Sequence, residues 1–201
     1  MKKIFTIIIL PIIIIGLVYA IWHSIQEPIE FGKLRSQREQ VGIERLKDIR
    51  TLEVAFKSRY GRFTASIDTL IDFYKNGQIT IIKRIGSMDD SLAVAQKQVR
   101  RDSIKINVRD TILKRESFNP DSLRIIPFSG GQPIQMKAVI KSVSGVEVPL
   151  FEATMPFKSI LQGLNKQLII NLVCEREENG RYPGLRVGSI DSPNNNAGNW
   201  E

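Results

Sequence analysis

An almost unbroken apolar run opens the chain. After Lys2 and Lys3, residues 4–22 carry no charged side chain, and polar positions resume at His23. As a helix this run is roughly 28 Å long, which matches the hydrocarbon thickness of a bilayer. We predict a transmembrane signal-anchor helix over residues 4–22.

A cleaved signal peptide is the alternative interpretation of this run. Val18-Tyr19-Ala20 is an acceptable version of the small-residue motif that precedes a signal-peptide cleavage site, so cleavage after Ala20 would release a soluble protein. The run continues through Ile21 and Trp22, which makes it longer than a typical cleaved signal, and Trp22 is typical of an interfacial anchor. We favour the anchor, with residues 1–3 as a cytoplasmic stub of a single-pass inner-membrane protein whose C-terminal domain lies in the periplasm.

An amphipathic helix is predicted beyond the membrane segment. Residues 23–32 contain Pro28 and Gly32, which predict a juxtamembrane linker that breaks the helix. Apolar residues then recur at spacings of three and four between charged positions, as one face of a stalk helix requires. The stripe comprises Ile43, Leu46, Ile49, Leu52, Phe56 and Tyr60.

The rest of the chain predicts one short helix followed mainly by strands. Thr64 or Ser66 can cap a helix that ends before Gly77. A further helix is expected from Asp89 or Asp90 to about Arg101, and a helical turn within residues 157–165. Runs rich in β-branched residues and bounded by turn residues predict strands at 78–86, 104–108, 122–128, 133–141, 146–155 and 167–175, with a hairpin turn at residues 143–146.

This order of elements predicts an α+β fold. Helices come first and strands follow, so the stalk helix and the short second helix are expected to pack on an antiparallel sheet. The extracytoplasmic domain is expected to span residues 33–190, and residues 191–201 form a polar tail in which Trp200 can fold back onto the domain.

Positive charge is concentrated in the membrane-proximal half. The formal net charge is +8, and Lys and Arg outnumber Asp and Glu in residues 31–62 and 83–115 but not after Glu116. Lys97, Arg100 and Arg101 form the densest cluster, which we interpret either as a docking patch for an acidic partner or lipid headgroup, or as a solvated helix end. Nucleic acid is a poor partner, because no aromatic residues alternate with these cations.

The sequence offers little catalytic chemistry. His23 is the only histidine and borders the membrane segment, so a histidine-based metal site or triad within one chain is excluded. Cys174 lies in an apolar run and is expected in the core. The adjacent acids Asp89-Asp90 and Glu177-Glu178 point in different directions, unlike a general acid–base pair. We therefore predict no catalytic residue, no cofactor and no metal site.

One stretch resembles a known family. Residues 48–77 are similar to the periplasmic start of type IV pilins and type II secretion pseudopilins, in which a long continuous helix is followed by an aromatic turn, a short helix and an antiparallel sheet. The prepilin cleavage motif is missing, because Gly16 is followed by Leu17 and no acid occurs before Glu27. The positions that carry the resemblance are Leu52, Phe56, Tyr60, Gly61, Arg62, Phe63, Ser66, Leu70 and Gly77.

These features predict a membrane-anchored extracytoplasmic scaffold or interaction protein. Its expected partners are the bilayer, through residues 4–22, and other envelope proteins of a pilus-type or secretion assembly. The alternative is an exported soluble binding module released after Ala20. An enzyme ranks third, since without a usable histidine it would need an all-carboxylate mechanism.

Overall fold

A single long helix begins the structure. The computed structural model describes residues 10–85, 100–115 and 118–201, and helix α1 spans Leu10–Tyr60 without interruption. The predicted break at residues 28–32 is therefore wrong. Proline has a helix-compatible φ, and tertiary contacts hold α1 on both sides of Pro28: Glu27 accepts a hydrogen bond from Asn165, and Phe31 packs against the core.

A short helix and a two-stranded sheet follow. Helix α2 spans Ile67–Asn76, and the Ser66 side chain accepts a hydrogen bond from the Thr69 amide as its N-cap. Strand β1 (Gln78–Ile85) pairs antiparallel with β2 (Arg100–Asn107), and helix α3 (Val108–Thr111) continues from β2. Most of the helix predicted from Asp89 or Asp90 lies outside the described residues.

The strand predicted at residues 122–128 is wrong. A 3₁₀ helix spans Pro120–Arg124, and only Ile125 makes an isolated bridge, to Pro133. Asn119 explains the difference, because its side chain accepts a hydrogen bond from the Asp121 amide and Pro120 sits at the first helical position.

The main sheet has three antiparallel strands in the order β3-β4-β5. The predicted hairpin turn is confirmed: β3 (Gln135–Val143) and β4 (Val146–Pro156) are joined by Ser144 and Gly145, both with positive φ. Two consecutive residues of positive φ give the turn whose twist matches antiparallel strands. Strand β5 (Gly184–Gly188), which we did not predict, pairs with the second half of β4.

Two helices connect β4 to β5. The expected helical turn is α4 (Phe157–Ile160), and α5 spans Lys166–Glu178, where we predicted a strand. The Asn165 side chain caps α5 by accepting from the Gln167 and Leu168 amides. The buried residues Ile169, Leu172 and Val173 have helical spacing. Our prediction of a strand gave more weight to the β-branched residues of this segment than to that spacing.

The tail and α1 complete the core. The Gly188 amide donates to the Ala197 carbonyl, and Trp200 packs against the core as expected for a tail that folds back. On the other side, α1 approaches β5 and α4 so closely that a Cβ on Gly42 would lie 2.7 Å from Leu185. The C-terminal half of α1 is thus the centre of the folded domain, whereas the part of α1 that precedes Glu27 extends away from it.

Candidate functional site

The N-terminal part of α1 is an exposed apolar helix. Among the described residues, α1 is the one helix that is long and apolar enough to cross a membrane, and none of its most apolar window is buried in the domain. Ile15, Tyr19 and Trp22 are 69%, 71% and 66% exposed. Such a surface is unfavourable in water and fits a hydrocarbon environment.

The predicted packing stripe lies in the C-terminal half of α1. Leu46, Ile49, Leu52 and Phe56 are buried in the core. Tyr60, the last residue of the stripe, is 55% exposed, and its ring lies 4.5 Å from Phe56 between ring centroids. The stripe therefore binds α1 to its own domain through the four buried residues, and Tyr60 covers the edge of that contact.

Arginine side chains on α1 add polar contacts with the domain. Arg38 Nη1 donates to the Gln162 carbonyl at 2.8 Å and to the Ile160 carbonyl at 3.2 Å, and its guanidinium lies 4.8 Å from the Phe128 ring centroid. Arg45 donates to the Ile125 carbonyl, and Arg50 pairs with Glu201. Much of the positive charge of α1 is thus engaged within the chain rather than presented to a partner.

The predicted docking patch is described only in its backbone. Arg100 and Arg101 begin β2, where they lie opposite Ile85 and Arg84 of β1. Lys97 lies outside the described residues. Because Arg100 and Arg101 belong to a strand, the interpretation of this cluster as a solvated helix end is wrong for these two residues.

Glu53 is a buried acid that the sequence analysis missed. Its side chain is 0% exposed; Oε2 accepts a hydrogen bond from the Thr64 amide at 3.1 Å, and Oε1 has no hydrogen-bond partner. Burial raises the pKa of Glu53 to about 8, against the opposing effect of the Thr64 hydrogen bond. Its spacing of four from Ile49 and three from Phe56 places it on the buried face, and that signal could have revealed it.

Cys174 and the acidic side chains of the described residues form no metal-binding cluster. Cys174 is exposed on α5 rather than buried as predicted, because the segment is a helix with its apolar face elsewhere. No group of three or more His, Cys, Asp or Glu residues within the described part of the chain could hold a metal ion.

A groove of about 450 Å³ with both charged and apolar lining residues lies beside α2 and α3. Two of its cations are already paired: Lys75 with Asp121 at 3.1 Å and Arg115 with Asp48 at 2.5 Å. Burial raises the pKa of Asp48 although Arg115 bonds both of its oxygens. With Arg109, which lies 3.7 Å from Asp110, these pairs account for three of the four cations that line the groove.

Comparison with known proteins adds no relative. Neither a protein-family model, nor a curated protein, nor a solved structure matches this chain. A functional conclusion therefore depends on the geometry of the molecule.

Proposed function

We propose that this protein is a single-pass membrane protein whose extracytoplasmic domain serves as a scaffold or interaction module in a cell-envelope assembly. The observation that carries the proposal is α1 itself, a continuous helix of 51 residues that is apolar and exposed at one end and buried in a folded domain at the other. Such a helix couples a membrane segment to a domain without a flexible joint. Lys2 and Lys3 favour an N-terminus on the cytoplasmic side.

The resemblance to type IV pilins and type II secretion pseudopilins supports the same proposal. That resemblance implies one uninterrupted helix followed by a short helix and an antiparallel sheet packed together. Continuity of α1 through Pro28 and the antiparallel order β3-β4-β5 are the features of the fold on which we base this part of the proposal. An envelope assembly of the pilus or secretion kind is therefore the setting we propose.

Release after Ala20 is the less favourable alternative. Cleavage there would leave Trp22, Ile25 and Ile29 on the free end of α1, where they are 66%, 57% and 60% exposed. An apolar stripe of this kind in water is an aggregation hazard. A retained anchor places these side chains in or beside the bilayer.

Membrane retention provides the direct test. We expect the full-length protein to remain in membranes washed with alkaline carbonate and to have an intact mass that includes residues 1–20. Ile14→Lys combined with Leu17→Lys should move it to the soluble fraction, because charge at the centre of a span opposes insertion. Ile140→Lys combined with Val146→Lys is the matched control, since these two residues of β3 and β4 are 59% and 63% exposed. A wild-type protein that washes off the membrane and lacks its first 20 residues would overturn the proposal.

Partner docking through the basic cluster is a second expected outcome. Arg100→Glu with Arg101→Glu should lower the recovery of cross-linked envelope proteins at least several-fold, because charge reversal removes attraction to an acidic partner. Lys137→Glu with Arg181→Glu makes the same charge change at exposed sites on β3 and after α5, and should leave recovery unchanged. Equal recovery from both double variants, measured by quantitative mass spectrometry, would exclude Arg100 and Arg101 as the docking site.

A further inference from the structure

The domain contacts α1 very near the end of the apolar run. Asn165 Nδ2 donates to Glu27 Oε1 at 2.5 Å, and Glu27 is five residues beyond Trp22. At the rise of an α-helix this is roughly 7.5 Å along the axis, which is about the thickness of one headgroup layer. Residues 161–167, which are the connection between α4 and α5 and the first two residues of α5, are hereafter the α4–α5 corner.

Exposed apolar side chains on α1 continue beyond Glu27, the residue that contacts Asn165. Trp22, Ile25 and Ile29 are all at least 57% exposed, and their spacing of three and four residues puts them on one face. Glu27 and Phe31 share another face, on which Asn165 and the core lie. If the bilayer covers the stripe as far as Ile29, the α4–α5 corner lies at headgroup height on the other side of the helix.

The charges around the corner suit anionic headgroups. Lys166 directly follows Asn165, Lys158 lies on α4, and Lys33 lies six residues beyond Glu27 on α1; all three are exposed. None of the ion pairs among the described residues involves these three lysines. Of the acids nearby on α1, Glu27 accepts the Asn165 hydrogen bond, and Glu30 is exposed. Free cations beside a membrane attract the phosphates of acidic lipids.

We propose that the α4–α5 corner rests on the headgroup layer of the bilayer, where Lys166 binds the phosphate of an anionic phospholipid. This inference depends on the proposed membrane anchoring and adds an orientation to it. Phe63, beyond the C-terminal end of α1, packs on Phe151 of β4 at 4.8 Å between ring centroids. The β3–β4 turn, at the start of β4, then points away from the membrane and is available to protein partners.

Site-directed spin labelling of the full chain in lipid nanodiscs tests this orientation. In a Cys174→Ser background, single cysteines at Gln167, Glu147 and Ile15 report on the corner, on the β3–β4 end and on the anchor, and all three wild-type side chains are exposed. A nickel-chelating lipid relaxes labels near the headgroups, and dissolved oxygen relaxes labels inside the bilayer. We expect nickel relaxation to be several-fold faster at residue 167 than at residue 147, and oxygen relaxation to dominate at residue 15.

The outcomes separate the inference from the anchoring proposal. Oxygen-dominated relaxation at residue 15 with equal nickel relaxation at residues 167 and 147 would overturn the corner contact and leave the anchor standing. A water-exposed label at residue 15 would overturn both.

A charge reversal isolates the phosphate contact. Lys166→Glu, combined with the label at residue 167, should slow nickel relaxation in nanodiscs containing phosphatidylglycerol and have a much smaller effect in nanodiscs whose lipids, apart from the nickel chelator, are all zwitterionic. Lys137→Glu on β3 is the control and should leave nickel relaxation unchanged in both lipid compositions. An unchanged rate for Lys166→Glu in both lipid compositions would overturn the assignment of phosphate binding to Lys166.

Discussion

The free energy of unfolding of the wild-type protein is expected to fall by about 3 to 5 kcal/mol between pH 4.5 and pH 8, and the Glu53→Gln variant is expected to lack this fall. The pKa of Glu53 is raised from 4.5 to about 8 in the folded protein. Below pH 4.5 the carboxyl is protonated in both states and contributes no pH dependence. Between the two values the unfolded chain loses the proton while the folded chain keeps it, so the free energy of unfolding falls as pH rises and levels off above pH 8.

The Glu53→Gln variant isolates this effect. A glutamine amide has the shape of the protonated acid, and its oxygen can still accept from the Thr64 amide. We therefore expect the variant to resemble wild type near pH 4.5 and to be more stable by a few kcal/mol at pH 8. Glu44→Gln, an exposed change on the same helix, should alter stability by less than about 0.5 kcal/mol at either pH.

Urea unfolding in mild detergent, followed by Trp200 emission, provides the measurement. Trp200 packs against the core, whereas Trp22 is exposed on α1, so a Trp22→Phe background leaves a single reporter of the domain. A difference between wild type and Glu53→Gln that stays constant from pH 4.5 to pH 8 would show that Glu53 titrates normally and is solvated.

Leu46→Ala is expected to cost about 2 to 5 kcal/mol of unfolding free energy. Leu46 is 0% exposed in the core, so truncation removes buried apolar surface and leaves a cavity among close-packed neighbours. Leu34→Ala is the matched control: it makes the same chemical change on the same helix at a residue that is 42% exposed, and it should cost less than about 1 kcal/mol.

The same urea titration compares the two leucine variants. Similar costs for Leu46→Ala and Leu34→Ala would mean that α1 is not the centre of the domain core, which would contradict the packing described above. A large loss of unfolding free energy for Leu46→Ala alone would show that the C-terminal half of α1 cannot separate from the domain without unfolding it.

Local signals in the sequence determined several elements. The apolar run and the three-and-four spacing of the stripe predicted both halves of α1, because each pattern reflects burial on the scale of a single helix. The start of α2 was predicted at Thr64 or Ser66, of which Ser66 is the cap, and Ser144-Gly145 predicted the β3–β4 turn, since caps and tight turns depend on a few adjacent residues.

Other elements were decided by contacts distant in sequence. Residues 167–175 are rich enough in β-branched side chains to predict a strand. They form a helix because Asn165 caps its N-terminus and because Ile169 and Leu172 are buried against the core. Strand β5 is only five residues long, with glycine at both ends, and it exists because β4 offers a pairing edge.

The same division applies to the functional surfaces. Composition and length alone made residues 4–22 a candidate membrane segment, because the bilayer selects for hydrophobic length rather than for particular contacts. Continuity of α1 through Pro28, the Thr64 hydrogen bond to Glu53 and the position of the α4–α5 corner beside Glu27 all required the tertiary structure. Each of these features arises where residues far apart in the chain meet, and periodicity along the sequence carries no information about such contacts.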